Sequence, residues 1–184
     1  MTSRDGLSFK RWTKELIPIT APKDREGNRS NYMTNGLLQL PGQNRELSVY
    51  ATEAYYAGPG SRVRRFSIRI DGFVSVHADS MTSEFITKPF TFSGSQLKVN
   101  FLTENQGSMR FELQDDSGKP LVGYGLADCI PLVGDQIEHA VAWKAVPGTS
   151  AIENASVASI QNKPTRLRVE MQNADLFSIR FGPL

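Results

Sequence analysis

The stretch "RVRRFSIRIDGFVSVHAD" (residues 62–79) holds two strand-like halves joined by Asp71 and Gly72. Asp-Gly between two apolar alternations is a strong short-range signal for a tight β-hairpin. The other interpretation is a seam, at which the residues before Asp71 belong to one β unit and those after it to another. The hairpin would place residues 62–79 within one β domain, whereas the seam would place the boundary between two domains at Asp71.

Period-two alternation of apolar and polar residues dominates the second half of the chain. Strands of this kind have one buried and one wet face, which is typical of antiparallel sheets. The alternating segments are QLKVNFLT (96–103), SMRFELQD (108–115), TRLRVEM (165–171) and LFSIRFG (176–182). Turn residues predict turns at DDSGKP (115–120) and QNADL (172–176). We therefore predict an all-β fold, a jelly-roll-like antiparallel β-sandwich.

The first sixty or so residues have the rhythm of a propeller blade, with short strands separated by turns and loops. A loop is predicted over residues 18–31, and a second, rich in small polar residues, over 146–164. Residues 122–143 form a long excursion that ends in the strand-like HAVAW. Long structured connections are often functional, so this excursion is the first place to look for a binding site.

Composition excludes several classes of function. The net charge is +2, and the one basic cluster, Arg62, Arg64, Arg65 and Arg69, is interpreted as the solvated face of a strand. We expect no nucleic-acid partner, since exposed aromatics do not alternate with the basic residues. We expect no membrane partner and no signal peptide within the sequence, and the location in the cell stays open. Cys129 is the only cysteine, so no disulfide forms within the chain.

The ordered set DGFVSVHA, EFITKPFTF, QDDSGKP and DCIPLVGD resembles the C-terminal β-sandwich of planctomycete-type bacterial proteins. These proteins are related to glycoside hydrolase family 32 and its five-bladed propeller relatives. SRDGLSFKRW (3–12) is similar to a loop-strand unit of their late blades, and to the sialidase Asp-box with one residue fewer between Asp and Gly. The resemblance implies a remnant of the last propeller blade in residues 1–70 and a β-sandwich accessory module in residues 71–184. It also implies that the earlier propeller blades are missing, so that the chain is a truncated product, a product of a miscalled start, or one fragment of a split gene whose other blades lie on an upstream polypeptide.

Catalysis in the resembled family uses carboxylates that several blades present to a central funnel, and a retaining pair lies about 5 Å apart. Its aspartate motifs have no match in this chain. Glu53 shares a predicted strand face with Leu47, Val49 and Tyr55 and is the one catalytic candidate, although an ordinary strand carboxylate explains it more simply. Asp5 is interpreted as a turn-forming aspartate that binds its own backbone.

A carbohydrate site is predicted at the excursion, from Tyr124, Asp128, Asp135 and Trp143. Tyr124 lies among glycines and is expected to be exposed, whereas Trp143 closes an alternating strand and is more simply a core residue. No cofactor is expected, with a structural calcium ion at Asp128 and Asp135 as the open alternative. Two histidines, His77 and His139, make no metal motif.

These observations lead to one functional hypothesis and two alternatives. The chain is expected to be a non-catalytic β-sandwich module of a glycoside-hydrolase-like protein, which stabilises the propeller and binds carbohydrate. In the first alternative, the chain is one part of an active glycoside hydrolase, and the missing N-terminal blades complete that enzyme. The second is a purely structural interaction module.

Overall fold

A computed structural model of the chain describes residues 1–3, 5–17, 31–56, 58–144, 153–154 and 156–183. Their regular structure is strand, apart from short 3-10 turns at Gly58–Gly60 and Ala158–Ile160. The strands are β1 (Thr2–Ser3), β2 (Phe9–Lys10), β3 (Glu46–Glu53), β4 (Arg62–Arg69), β5 (Val76–Ala78), β6 (Ser83–Ile86), β7 (Gln96–Asp115), β8 (Asp135–Ala140), β9 (Trp143–Lys144), β10 (Glu153–Asn154) and β11 (Thr165–Gly182). Their pairings are antiparallel, which confirms the prediction of an all-β, sandwich-type fold. The jelly-roll arrangement and the propeller blade stay predictions.

The chain divides into two units, Met1–Phe73 and Val74–Leu184. The division falls close to the boundary that the resemblance implies, between residues 70 and 71. None of the described residues belongs to a helix that is long and apolar enough to cross a bilayer.

Asp71 and Gly72 lie at this division and do not join their flanking strands into a hairpin. β4 pairs with β3, whereas β5 pairs with β11. Asp71 has a φ of 57°, and Gly72 donates its N–H to the Arg69 carbonyl at 2.9 Å. A Cβ on residue 72 would lie 2.7 Å from the Arg69 Cβ, so this local turn requires glycine. The structure therefore supports the seam and not the hairpin.

The N-terminal unit contains small sheets. β1 and β2 form a hairpin, in which Ser3 lies opposite Phe9. β3 has β4 on one edge and residues 32–38 on the other, where the Leu38 and Ser48 backbones exchange two hydrogen bonds of 2.7 and 2.9 Å. Within the described part of this unit, β3 is the one named strand with partners on both edges.

The C-terminal unit is built on the pairing of its two longest strands, β7 and β11. Their register runs from Asp115 opposite Thr165 to Gln96 opposite Gly182. β8 lies along the other edge of β7, and β5 and β6 pair with the other edge of β11. The four predicted alternating segments all lie within β7 and β11.

The prediction of a turn over residues 172–176 is wrong. β11 continues through this segment with a register shift at Asn173, whose φ is 42°. Residues 104–107 of β7 form a bulge opposite this position. Gly107 is required there, because a Cβ would lie 2.4 Å from the carbonyl oxygens of Gln172 and Asn173. The turn-type residues bend two continuous strands instead of ending them.

The hydrophobic core of the C-terminal unit lies on one face of this sheet. Most of its members from β7 and β11 are those that the alternation predicts: Leu97, Val99, Phe101, Met109, Phe111, Leu113, Leu167, Val169 and Met171. In the last part of β11 the predicted face, Phe177, Ile179 and Phe181, is wrong, because Ala174 and Leu176 are the residues that join the core there. Each large apolar side chain that is fully buried stabilises the fold by about 1.5–3 kcal/mol. Ile179 departs from the prediction, because it pairs with Val99 yet stays 39% exposed.

Two predicted loops extend outside the described residues. Of the loop over residues 18–31, residues 18–30 lie outside. Of the loop over 146–164, residues 146–152 and 155 lie outside, and the rest includes β10 and the turn at Ala158–Ile160.

Substituting Gly107 by alanine is expected to lower the free energy of unfolding by about 3 kcal/mol. An added side-chain atom that overlaps the backbone forces the strands apart, and overpacking of this kind destabilises a fold by about this amount. The added Cβ would meet three backbone oxygens, those of Glu104, Gln172 and Asn173, within 2.7 Å. Urea denaturation followed by tryptophan fluorescence measures the change. Gly182→Ala is the matched control in the same strand pair, since its Cβ would meet only Arg180 Nε at 4.0 Å. Equal stabilities of the two variants would contradict the proposed bulge geometry.

Candidate functional site

Tyr124 and Trp143 are buried in the core of the C-terminal unit. Trp143 has no exposed surface, and its Nε1 donates to the Phe111 carbonyl at 3.0 Å. Tyr124 is 7% exposed and meets Trp143 edge-on, with ring centroids 5.2 Å apart. The expectation that Tyr124 is exposed is wrong, because its hydroxyl donates to the Ser156 carbonyl at 2.9 Å and its ring joins the core. The interpretation of Trp143 as a core residue is confirmed, and neither ring presents a face to a sugar.

Asp128 and Asp135, the other predicted site residues, lie in different local structures. The Asp128 N–H donates to the Gly125 carbonyl at 3.1 Å, and its own carbonyl accepts from the Lys144 N–H at 2.8 Å. Asp135 is exposed and begins β8, opposite Leu102 of β7. Within the described part of the chain, no group of three or more His, Cys, Asp or Glu residues is arranged to hold a metal ion. The calcium alternative at Asp128 and Asp135 therefore gains no support.

A buried polar cluster anchors the loop between Tyr124 and Asp128. Glu112 is 5% exposed and accepts hydrogen bonds from Gln114 Nε2 at 2.7 Å and from the Leu126 N–H at 3.1 Å. Arg168 Nη1 lies 3.5 Å from the same carboxylate. Charge-assisted hydrogen bonds of this kind hold a loop in place, so the excursion is a structural part of the C-terminal unit.

Glu53, the catalytic candidate, is held by two arginines of the neighbouring strand. Its side chain is 1% exposed, and its two oxygens accept from Arg62 Nε at 2.6 Å and from Arg64 Nη1 at 2.8 Å. Arg62 lies directly opposite Glu53 in the β3–β4 register, and Arg64 lies diagonally. The two arginine side chains are 40% and 37% exposed, so the ion pairs are only partly buried, but without both arginines the buried carboxylate would be an uncompensated charge. The geometry gives Glu53 a structural role in the β3–β4 pair.

Asp5 shapes the β1–β2 hairpin, which confirms its interpretation as a turn-forming residue. Its Oδ1 accepts hydrogen bonds from the N–H groups of Ser8 at 2.7 Å and Leu7 at 2.9 Å, and from the Ser3 hydroxyl at 3.0 Å. The pKa of Asp5 lies below its ordinary value, first because of the bond from Ser8 and then because of the bond from Leu7. The ionised carboxylate thus organises the turn.

A histidine-carboxylate cluster lies at the start of the C-terminal unit and is absent from the sequence-based site predictions. His77 Nδ1 lies 3.1 Å from Asp175 Oδ1, and its Nε2 lies 3.1 Å from Asp79 Oδ1. The Ser75 hydroxyl donates to the same Asp175 oxygen at 2.6 Å. The pKa of His77 is raised, first by the hydrogen bond to Asp79 and then by the bond to Asp175. The cluster fastens β5 to β11.

Cys129 is a buried thiol in the core of the C-terminal unit. Burial raises its pKa to about 11, although the Phe111 N–H donates to Sγ at 3.2 Å. A protonated thiol is a poor nucleophile.

Tyr32, Tyr55 and Tyr56 form an aromatic cluster at the end of β3, which the sequence-based predictions did not include. The Tyr55 ring centroid lies 4.8 Å from that of Tyr32 and 4.2 Å from that of Tyr56. The adjacent pair Tyr55 and Tyr56 is visible in the sequence, but Tyr32 reaches it only through the pairing of residues 32–38 with β3. We call these three residues the tyrosine cluster.

The fold places the chain among the all-β proteins with antiparallel sheets. No family model, no curated protein and no solved structure matches the chain. The resemblance to glycoside-hydrolase-like proteins therefore stays a prediction.

Raising the pH is expected to weaken the C-terminal unit slightly. The pKa of His77 is raised above 6.5, so its contribution to stability is complete below pH 6.5 and is lost as the pH rises through the folded pKa. The effect is small, since the imidazole is 55% exposed and solvent screens its ion pairs. NMR titration of the imidazole measures the pKa, and denaturation over the same pH range measures stability.

Asp79→Asn and Asp175→Asn are each expected to lower the pKa of His77, because each removes one carboxylate that bonds the imidazolium. Asp135→Asn on β8 is the control and should leave that pKa unchanged. A wild-type pKa at or below 6.5, or an equal shift in Asp135→Asn, would contradict the cluster's geometry.

Proposed function

We propose that the chain is a non-catalytic β-sandwich module of a glycoside-hydrolase-like protein, and that its N-terminal unit is the incomplete end of a larger β structure. The supporting observation is a contrast in apolar exposure. Among the described residues, both units leave some large apolar side chains exposed, but the C-terminal unit buries a continuous core. The buried apolar residues of the N-terminal unit are few: Ile17, Val49, Ala51 and Ala54.

The exposed apolar residues of the N-terminal unit come from several of its segments. Those more than 40% exposed, the tyrosines aside, are Met1, Leu7, Phe9, Leu16, Met33, Leu37, Leu38, Val63 and Phe73. Groups of exposed apolar residues mark surfaces that another structure covers. In the proposed protein the covering structure is the rest of the propeller, because a blade buries its faces only against its neighbours.

Glu53 supports a non-catalytic function for the chain alone. Its ion pairs with Arg62 and Arg64 occupy both carboxylate oxygens at 2.6 and 2.8 Å. A glycosidase of this general type needs two carboxylates that flank the glycosidic bond and lie about 5 Å or more from each other. One of them must be free to attack the sugar or to transfer a proton. The structural role of Glu53 leaves that chemistry to other parts of the proposed protein.

The purified chain is expected to bind a hydrophobic dye such as bis-ANS through its N-terminal unit. Leu7→Ser combined with Val63→Thr should reduce the dye fluorescence without changing the far-UV circular dichroism, because these side chains are 87% and 61% exposed. Val133→Thr, 66% exposed in the C-terminal unit, is the matched control and should change little.

A monodisperse monomer that does not bind the dye would contradict the proposal. The same preparation is expected not to hydrolyse fructans or aryl glycosides. Turnover that is lost in Glu53→Gln would also overturn it, because that result would make Glu53 a catalytic group.

A further inference from the structure

The tyrosine cluster exposes aromatic surface that the fold does not bury. Tyr56 is 80% exposed and Tyr32 is 55% exposed, while Tyr55 lies partly buried between them. The rings are tilted, with interplanar angles of 59° for Tyr32 and Tyr55 and 48° for Tyr55 and Tyr56. Aromatic rings are normally among the largest contributors to a core, so three gathered at the surface call for another explanation.

Backbone hydrogen bonds fix the position of Tyr32. Its N–H donates to Thr52 Oγ1 at 2.9 Å, and its carbonyl accepts from the Thr52 N–H at 3.0 Å. Tyr32 is therefore hydrogen-bonded to the C-terminal end of β3, close to the point at which the chain leaves the strand. The cluster stands on a strand end, which is a firmer support than a loop.

The backbone around Tyr55 adopts a conformation that side chains disfavour. Ala54 has a φ of 53° and Tyr56 a φ of 61°, both in the left-handed region. In a regular strand, successive side chains point to opposite faces, so Tyr55 and Tyr56 would point apart. The two left-handed residues bring these rings to 4.2 Å instead.

Burial does not account for the free energy that this conformation costs, because Tyr56 remains 80% exposed. Strained backbone of this kind is concentrated at functional sites. The strain and the exposed rings are separate observations, and both indicate a binding surface.

The phenol groups of the cluster also lie close together. The pKa of Tyr55 is raised, first because of a hydrogen bond with the Tyr56 side chain, then because of desolvation and the nearby Tyr32 phenol. A phenol hydroxyl both donates and accepts hydrogen bonds. The cluster thus combines aromatic ring faces with hydroxyl groups that can donate or accept hydrogen bonds.

We infer that the tyrosine cluster is a carbohydrate-binding platform, on which the apolar C–H face of a sugar ring stacks against Tyr56 while sugar hydroxyls bond the phenols. The negative face of an aromatic ring attracts C–H groups. Sugar hydroxyls both donate and accept, which matches the phenols. A proline-rich peptide is the competing ligand for exposed aromatics, but its prolines offer carbonyl acceptors and no N–H donors.

This inference deepens the proposed function, since it gives the glycoside-hydrolase-like protein a glycan contact on its N-terminal unit. It moves the carbohydrate site from Tyr124 and Trp143, which are buried, to rings that are exposed. The platform needs no other polypeptide to bind, so it is testable on the chain alone.

Isothermal titration of the full chain with fructo-, xylo- and cello-oligosaccharides tests the platform. We expect binding of at least one of them, with tyrosine ring signals shifted in the NMR spectrum. Tyr56→Ala should weaken that binding about tenfold, the size expected for the loss of one aromatic contact. Tyr56→Phe keeps the ring face and should lose less.

Phe9→Ala is the matched control, because Phe9 is a 58% exposed ring elsewhere in the same unit and its loss should leave affinity unchanged. The inference is overturned by no binding of any sugar, by wild-type affinity in Tyr56→Ala, or by binding of an oligoproline peptide in place of sugar. Equal losses in Tyr56→Phe and Tyr56→Ala would contradict stacking on the ring. Dye binding without sugar binding would leave the proposed function standing and overturn this inference. Sugar binding without dye binding would support this inference and contradict the proposed function.

Discussion

The pairing of β7 with β11 is the interaction on which the C-terminal unit depends. These strands run together from Gln96 opposite Gly182 to Asp115 opposite Thr165, and they carry most of the apolar residues of the core. Their outer edges carry the short strands β5, β6 and β8. The bulge at Gly107, opposite Asn173, lets both strands bend without ending. A single long ladder therefore organises the sheet, the core and the loops that pack on it.

Within the described part of the N-terminal unit, the longest strand pair, β3 with β4, extends over only eight residues. β3 is its best-supported strand, and the ion pairs of the buried Glu53 carboxylate with Arg62 and Arg64 link it to β4. Much of its apolar surface stays exposed, and the tyrosine cluster projects from the end of β3. Among the described residues, the two units thus differ in degree: the C-terminal unit buries a larger apolar core, and the N-terminal unit leaves a larger share of its apolar side chains exposed. The proposed glycan contact and the proposed contact with further β structure both belong to the second.

Alternation and local turn chemistry were enough to predict the all-β class, the core faces of β7 and of residues 165–171 of β11, and the Asp5 turn. The turn at residues 115–120 is also as predicted, because Asp115 Oδ1 accepts from the Ser117 N–H at 3.0 Å and the Lys119 N–H at 2.9 Å. These features depend on neighbours in sequence. The same turn rules failed at Asn173, because glycine and asparagine serve a bulge as well as a turn.

The features that the sequence could not predict depend on contacts between distant segments. Tyr124 is buried because Ser156 supplies an acceptor for its hydroxyl. His77 meets Asp175 only through the β5–β11 register. Tyr32 likewise joins Tyr55 and Tyr56 only through the partner strand of β3. No periodicity or motif within one segment records such pairings.

Hydrogen exchange of the full chain tests most directly whether one unit is complete and the other is not. Amides of β7 and β11 should be the most protected, while those of β3 and β4 should exchange through separate openings of lower free energy. Equal protection of β3, β4, β7 and β11, lost together in one cooperative event, would contradict the account.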